Sequence, residues 1–435
     1  MIELGTSNKF FYYNQAYKST FNIRFRLKFK EPIQLEYMKE AASEAIKRYP
    51  ELGGEIVFKD NKLMIAPNDN PVAFYEENGD NHDLGSEDTN GYMFYCMYGE
   101  DYIVLSYYHG LTDIVGFMML TKTILYLYAQ KTGFQLSEEE LEELLGTIRD
   151  EKGLSAGDDL DDMYDPYRKF MKADSKPSFT FNNPGAFSIP TEQYPEDCDY
   201  VHSTLIELKT ADFIKKTKEY GVSFVPLLVD IISGAIDKQY EADRPVIAMV
   251  PVNLRPYYGS KSLVNFSDGV MIPYEKDMHN LDVNERCKKH KEIMQAQLQK
   301  ENFDLVLDAK VKAVEGFEAL DKSICEVQRE RGVLPPKGAV RPLTYAMTYP
   351  GKIDFTSGLN RMLSDFYMEP SMRAYATIVY TFGDTMRINC ICRQDEETFS
   401  QCICDAFKEM GFDISYTDKK HLYPDQVKLH RFREV

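Results

Sequence analysis

The sequence predicts an α/β fold in two related halves, and three observations carry that prediction. Phe21 to Lys30 alternates strictly, with Ile23, Phe25, Leu27 and Phe29 on one face and Arg24, Arg26, Lys28 and Lys30 on the other, as a half-buried strand does. The segment from Asp113 to about Gln130 is apolar nearly all round, which suits a helix buried between layers. The second half then restarts the same grammar, with strand Tyr200 to Leu208, helix Thr210 to Tyr220, apolar helix Ser223 to Tyr240 and strand Val246 to Val252.

The remaining elements follow in order. Leu35 to Tyr49 places Tyr37, Ala41, Ala45 and Ile46 near helical period and is ended by Pro50. Two hairpins come next, one turning at Lys59-Asp60-Asn61-Lys62 and one at Gly99-Glu100, the second delivering strand Asp101 to Tyr108. After the apolar helix, a charged one from Ser137 to Asp150 closes the first half. Gly153 to Pro195 changes character, with Asp158, Asp159, Asp161 and Asp162 followed by Pro, Asn and Gly, and reads as a linker. The expected division is therefore a first lobe over 1–152, a crossover over 153–195 and a second lobe over 196–435. The acidic run lacks the Gly and terminal Glu of a calcium loop, so a solvated helix start or loop is expected there. Helical runs cover Asp282 to Gln299 and about Asp304 to Arg331, and strands cover Leu343 to Thr348, Ala374 to Tyr380 and Met386 to Cys392. A helix from Glu397 to Met410 precedes a polar tail.

At 435 residues the chain exceeds what one core usually supports, which agrees with two lobes. Hydrophobic residues make up 43% and aromatics 13%, a globular composition with 30 Tyr and 26 Phe but no Trp. The formal charge of −18 disfavours nucleic-acid partners and anionic membranes, both of which require a basic surface. The N-terminus lacks the charged and apolar regions of a secretory signal, and Ile114 to Tyr128 is too short to span a bilayer and contains Lys122. A cytoplasmic protein without integral membrane association is expected. Two Cys-x-Cys pairs, Cys390/Cys392 and Cys402/Cys404, raise a zinc reading, but on a strand face and in an amphipathic helix small thiols are ordinary packing groups.

The chemistry concentrates at Tyr108-His109-Gly-Leu-Thr-Asp113, where a strand ends and the apolar helix begins. Spacing alone proves little. Seven His in so acidic a chain give on the order of half a His-x-x-x-Asp match by chance, and His421 to Asp425 repeats the spacing in the tail. Context distinguishes them: a histidine at a strand end can reach into a cleft and remove a proton, and Asp113 can cap the helix, orient the histidine or enter a buried ion pair. A core histidine with a capping aspartate is the bland alternative. Downstream, Val250-Pro-Val-Asn-Leu-Arg255 ends an apolar strand in a guanidinium that needs a partner, and Asp113 is a plausible one. Asn265 and Ser267 lie on one face of an extended segment and could donate to a developing oxyanion. Taken singly, these are a snorkelling arginine and a turn.

Together, His109, Asp113, Arg255 and Asn265-Phe-Ser267, with the helix ending Lys-Arg-Tyr-Pro-Glu-Leu and the acidic crossover, resemble the chloramphenicol-acetyltransferase-like superfamily. The closest branches are the alcohol acetyltransferases, the mycobacterial polyketide-associated acyltransferases and the nonribosomal peptide condensation domains. The resemblance implies two similar α/β lobes forming a V with a tunnel between them. It implies His109 as general base for acyl transfer from a thioester to an alcohol or amine, an Asp113–Arg255 structural pair, and Asn265 or Ser267 near the oxyanion, with Tyr108 also at the substrate. No permanent cofactor is implied; acyl-CoA or a phosphopantetheine thioester is the co-substrate, and the negative charge favours free CoA over an acidic acyl carrier protein. Arg24, Arg26, Lys28 and Lys30 could form a basic patch for a carrier, though such a face is more often a strand's solvated side. A free-standing condensation enzyme and a non-catalytic binding relative are the competing readings. Two departures matter: the family's His-His-x-x-x-Asp-Gly has Tyr108 for its first His and Ile114 for its Gly, with Gly116 two places later.

Overall fold

A computed structural model describes residues 1–14, 21–60, 62–78, 82–153, 158–173, 175–190, 200–320, 342–372, 375–392, 396–422 and 433–434. In the first half β1 (Ile2–Glu3) and α1 (Thr6–Asn14) precede β2 (Phe21–Phe29), α2 (Leu35–Ile46) and α3 (Pro50–Gly53). The hairpin β3 (Glu55–Lys59) and β4 (Lys62–Ala66) is followed by β5 (Phe74–Glu76), β6 (Phe94–Tyr98) and β7 (Tyr102–Tyr108). Four helices follow: α4 (Ile114–Thr132), α5 (Glu138–Leu145), α6 (Leu160–Tyr164) and α7 (Pro166–Phe170).

The second half opens with β8 (Tyr200–Lys209), α8 (Thr210–Tyr220), α9 (Phe224–Tyr240), β9 (Val246–Asn253), α10 (Arg255–Tyr258) and β10 (Ser267–Tyr274). Two long helices, α11 (Val283–Gln297) and α12 (Lys300–Glu318), lead to β11 (Tyr345–Lys352), α13 (Ser357–Asn360) and β12 (Leu363–Met372). The chain ends with β13 (Ala376–Phe382), β14 (Thr385–Cys392), α14 (Glu396–Glu409), β15 (Ser415–Leu422) and β16 (Arg433–Glu434).

Each element forms for a local reason. The alternation of β2 buries Ile23, Phe25, Leu27 and Phe29, while Arg26 turns to Glu77 and Glu369. Helix α4 is capped at its start by the Asp113 carboxylate, which accepts from the Gly116 N–H, and stopped by Gly133 at φ 70°, a left-handed position glycine tolerates. Ser137 and Glu140 close a reciprocal capping box on α5, which orders the charged helix without a wide apolar face.

The strands build a five-stranded sheet, β12-β2-β7-β6-β5, a seven-stranded mixed sheet, β10-β9-β11-β13-β14-β8-β15, and a four-stranded sheet, β1-β4-β3-β16. Helices α9, α11 and α14 cover the seven-stranded sheet and bury Ile232, Ile236, Phe399 and Ile403 over Ile388 and Val379. Helix α4 is buried against the five-stranded one, through Phe117 stacked on Tyr107 at 3.8 Å between ring centroids.

Three expectations need correction. No strand was expected over Leu363–Met372, yet β12 pairs antiparallel with β2 along nine registered partners from Leu363↔Phe29 to Met372↔Phe21. Its run carries Pro370 and acidic residues, which hid the strand; proline is tolerated because β12 lies at the sheet's edge. The polar tail is also partly strand: β15 pairs with β8, with His421 opposite Val201, and its exposed Asp418 suits an edge. Finally, the helical run expected from Asp304 begins at Lys300, and its expected end at Arg331 lies outside the described residues. Asp425 of the second His-x-x-x-Asp match also falls outside them.

The acidic stretch opens a helix, one of the two readings its composition allowed, but it is not wholly solvated. Asp159 caps α6 by accepting from the Asp162 N–H, while Asp162 itself is buried and accepts from Ser260 Oγ at 2.5 Å and the Lys261 N–H at 2.7 Å.

Candidate active site

Strand β7 ends in Tyr107 and Tyr108, both fully buried, and the chain then turns through His109, Gly110, Leu111 and Thr112 into α4. Within this buried turn His109 alone keeps partial exposure. Its ring packs against Phe11 of α1 at 4.9 Å between centroids. Its Nδ1 lies 3.2 Å from the Thr112 carbonyl, and because a carbonyl can only accept, that contact places the proton on Nδ1. The Nε2 lone pair is then left for chemistry, and Nε2 makes no hydrogen bond among the described residues. Burial lowers the imidazole pKa below the ordinary 6.5; the Thr112 and His109 carbonyls and the Asp113 carboxylate oppose that shift without cancelling it. The ring is therefore neutral and basic at pH 7.

Asp113 faces the other way. Its Oδ2 accepts from Arg255 Nη1 at 2.8 Å and the Phe266 N–H at 3.0 Å, and its Oδ1 from Arg255 Nη2 at 3.1 Å and the Gly116 N–H at 3.0 Å. Arg255 also donates to Ser262 O at 2.6 Å, Val264 O at 2.8 Å and Asn253 Oδ1 at 3.1 Å. Both side chains are about nine-tenths buried, and every strong direction of each group is filled. The pair therefore fastens α4 to the segment from Ser262 to Phe266. Thr112 Oγ1 adds a bond to Leu263 O at 2.5 Å across the same seam.

Gly116 sits in that seam. A Cβ at Gly116 would stand 2.0 Å from Leu263 O and 2.2 Å from Thr112 Oγ1, so this position, not 114, is where the seam requires glycine. Ile114 is 9% exposed, belongs to the hydrophobic cluster and occupies the first turn without displacing the Asp113 cap.

Asn265 is 1% exposed and brings Nδ2 within 3.3 Å of His109 Nδ1 and 3.4 Å of the His109 carbonyl. With Nδ1 already protonated toward Thr112, the carbonyl is the acceptor of that long, weak bond. Ser267 Oγ donates to Asn265 Oδ1 at 2.8 Å, fixing which way the amide points. The fold thus brings His109, Asp113, Arg255, Asn265 and Ser267 together. Tyr108 is fully buried, with the ring of Tyr12 5.1 Å away, and burial drives its phenol pKa well above the ordinary value.

Sequence reasoning missed Phe11, Thr112, Tyr167 and Lys310. Only the aromatic pair Phe10-Phe11 offered a signal, in a segment too short to assign. Lys310 Nζ lies 3.2 Å from Ser267 O, 3.1 Å from Tyr167 Oη and 3.4 Å from Asp268 Oδ2. A cavity of about 450 Å³ lies where β9 and β11, paired only at Ala248 and Met249, part company; Val250, Val252, Val270, Leu298 and Tyr349 line it. Asn253, at its rim, accepts from Arg255.

Two charge and thiol features resolve simply. Arg26 in the basic strand face forms a two-bond contact with Glu77, at 2.7 and 2.6 Å, and another with Glu369 at 3.0 Å, so its charge is neutralised within the sheet. Cys390, Cys392, Cys402 and Cys404 are buried, and burial raises the Cys390 thiol pKa well above its ordinary value. Among the described residues no group of three His, Cys, Asp or Glu is placed to hold a metal ion, and no single helix is long and apolar enough to cross a membrane.

No family model and no curated protein matches the sequence. Solved structures do match. TRI101 of F. sporotrichioides, complexed with coenzyme A and T-2, is 8% identical with a TM-score of 0.59, over 96% of this chain and 99% of that one. The epimerization domain from the third module of tyrocidine synthetase B is 14% identical with a TM-score of 0.61, over 94% of each chain. Polyketide synthase associated protein 5 from Mycobacterium tuberculosis is 13% identical with a TM-score of 0.55, over 93% of this chain and 95% of that one.

Proposed function

From the two-lobed α/β fold of the chloramphenicol-acetyltransferase-like superfamily, which this chain has, we propose that it transfers an acyl group from a thioester to an alcohol or amine. The observation that carries the reading is His109: a partly exposed, neutral imidazole whose Nδ1 is committed to a carbonyl and whose Nε2 makes no hydrogen bond among the described residues. In this reading Nε2 takes the acceptor's proton as its oxygen or nitrogen attacks the thioester carbonyl. The tetrahedral intermediate then collapses, the C–S bond breaks, and the leaving thiolate recovers the proton from the imidazolium. Asn265 Nδ2, whose bond to the His109 carbonyl is long at 3.4 Å, is the donor we assign to the oxyanion beside the imidazole, and Ser267 holds it there. Asp113 and Arg255 hold the turn and touch no reacting atom. Donor and acceptor would approach along a tunnel between the lobes.

Free acyl-CoA is the favoured donor. The −18 charge repels acidic carrier proteins, and Arg26, inside the one basic strand face, is already neutralised by Glu77 and Glu369. Similarity to a peptide-synthetase domain favours a second reading, a free-standing condensation enzyme with a carrier-bound donor. Incubating the protein with acyl-CoA and acyl-carrier thioesters and a mixture of alcohols and amines, with product mass spectrometry, separates the two. Transfer from CoA that disappears in His109→Ala supports the first; transfer from the carrier alone supports the second. No consumption of either thioester refutes both and leaves a binding protein.

A further inference from the structure

The face of α12 that meets the rest of the protein is apolar at Phe303, Leu307, Val311 and Val314, and Lys310 lies on that same face, seven residues after Phe303 and four before Val314. Packing alone would place an aliphatic residue there. Instead a lysine with a side chain only 20% exposed directs its ammonium to the first residues of β10. The Ser267 carbonyl accepts from both Lys310 Nζ, at 3.2 Å, and Tyr167 Oη, at 2.6 Å, while the Ser267 hydroxyl holds Asn265 Oδ1 at 2.8 Å. Asn265 in turn reaches His109.

We propose that Lys310 is a positioning residue that, with Tyr167, clamps Ser267 and so holds the Asn265 amide against His109. The inference rests on the acyl-transfer reading for its catalytic consequence, but the clamp itself is a matter of geometry. Charge reinforces it. Burial disfavours the ammonium, yet Asp268 and Tyr167 outweigh burial and hold the Lys310 pKa above its ordinary value, so the cation persists at any working pH. The elements packed around the turn bring other titratable groups. Asp113 with Arg255 lies behind His109, and Tyr108, Tyr12 and Tyr167 surround the turn. Helix α1 carries Lys9, bound to Glu3 and Glu318, and α7 carries Arg168, on Glu315, and Lys169, on Asp159. Each of those outer cations already has a carboxylate partner. Removing Lys310 leaves Asp268 without its counter-charge beside Ser267, and the uncompensated carboxylate favours the imidazolium.

The test is the titration of His109 in the full chain, read from the imidazole ring-carbon NMR resonances and assigned by the signal lost in His109→Gln. In Lys310→Met the His109 pKa is expected to rise toward the ordinary value of about 6.5, with kcat for thioester transfer falling on the order of 10–100-fold at little change in KM. Lys310→Arg, which keeps charge and donors, should stay near wild type in both. Tyr167→Phe, which removes only the second donor to the same carbonyl, should move His109 the same way by less, and it reads the clamp even where Lys310→Met does not fold. An unchanged His109 titration in the folded variants overturns the clamp, whatever the wild-type turnover. A wild type that turns over no thioester, with the His109 shift present, refutes acyl transfer and leaves the clamp standing.

Discussion

The two ends of the turn from His109 to Asp113 are built in opposite ways. At the Asp113 end four donors converge on one carboxylate, two of them from a guanidinium that is itself saturated by Ser262, Val264 and Asn253. At the His109 end there is one carbonyl contact of 3.2 Å, one long amide contact and a ring nitrogen with no hydrogen bond among the described residues. The difference teaches how a buried turn stays rigid while one side chain is held loosely: the hydrogen bonds concentrate on the Asp113–Arg255 pair, and His109 is held by far fewer. Separate roles imply separate symptoms when each end is altered.

The largest contrast should come from single substitutions at the two ends. His109→Ala should reduce kcat/KM by about 10²–10⁴-fold, the usual worth of a positioned general base, while thermal unfolding changes little. Arg255→Met should do the reverse first, destabilising the fold by about 3–5 kcal/mol because it strands a buried carboxylate; chemical denaturation measures it. If Arg255→Met melts like wild type, the division of roles collapses. Gly116→Ala comes next. Its methyl meets the backbone carbonyl of Leu263, so about 1–3 kcal/mol should be lost, with Asp113 and Arg255 intact.

The pH dependence is a subtler discriminator. His109 is neutral when folded and its pKa lies below the unfolded 6.5, so the unfolded chain binds the extra proton first. Its contribution to stability is fully present above pH 6.5 and is lost as pH falls from there through the lower folded value. The rising limb of kcat/KM against pH should accordingly lie below 6.5, and a limb above it would mean that a different group is the base. The smallest effect is expected at Ile114→Val, about 0.5–1.5 kcal/mol by calorimetry with turnover unchanged, since Ile114 packs in the core. A large gain in turnover would show instead that its side chain obstructs the site.

Much of the site was legible because its signals are local. Asp113 follows a strand and precedes an apolar run, so a cap was among its readable roles; Arg255 ends an apolar strand, where a guanidinium needs a carboxylate, and Asp113 was a plausible one. Composition and period likewise determined β2, β7, α4 and the restart at β8, because each buries one face against something and repeats at 2 or 3.6 residues. The elements that escaped notice lack that self-sufficiency. Strand β12 carries Pro370 and exists because β2, more than 300 positions earlier, offers it an edge; β15 is polar because it is an edge.

What the sequence by itself determined, then, was the α/β class and the strand-to-helix turn that carries the histidine worth testing, which follow from short-range pattern; that Asp113 is at once the helix cap and the partner of Arg255 was one of several readings until the structure chose it. Only the tertiary structure decided that Tyr108 is core, that glycine is required at 116, and that Lys310 and Tyr167 reach Ser267. Those outcomes depend on which surfaces meet across long stretches of chain. No periodicity along the chain records that α12 and β10 will face one another, so no pattern could have nominated the lysine between them.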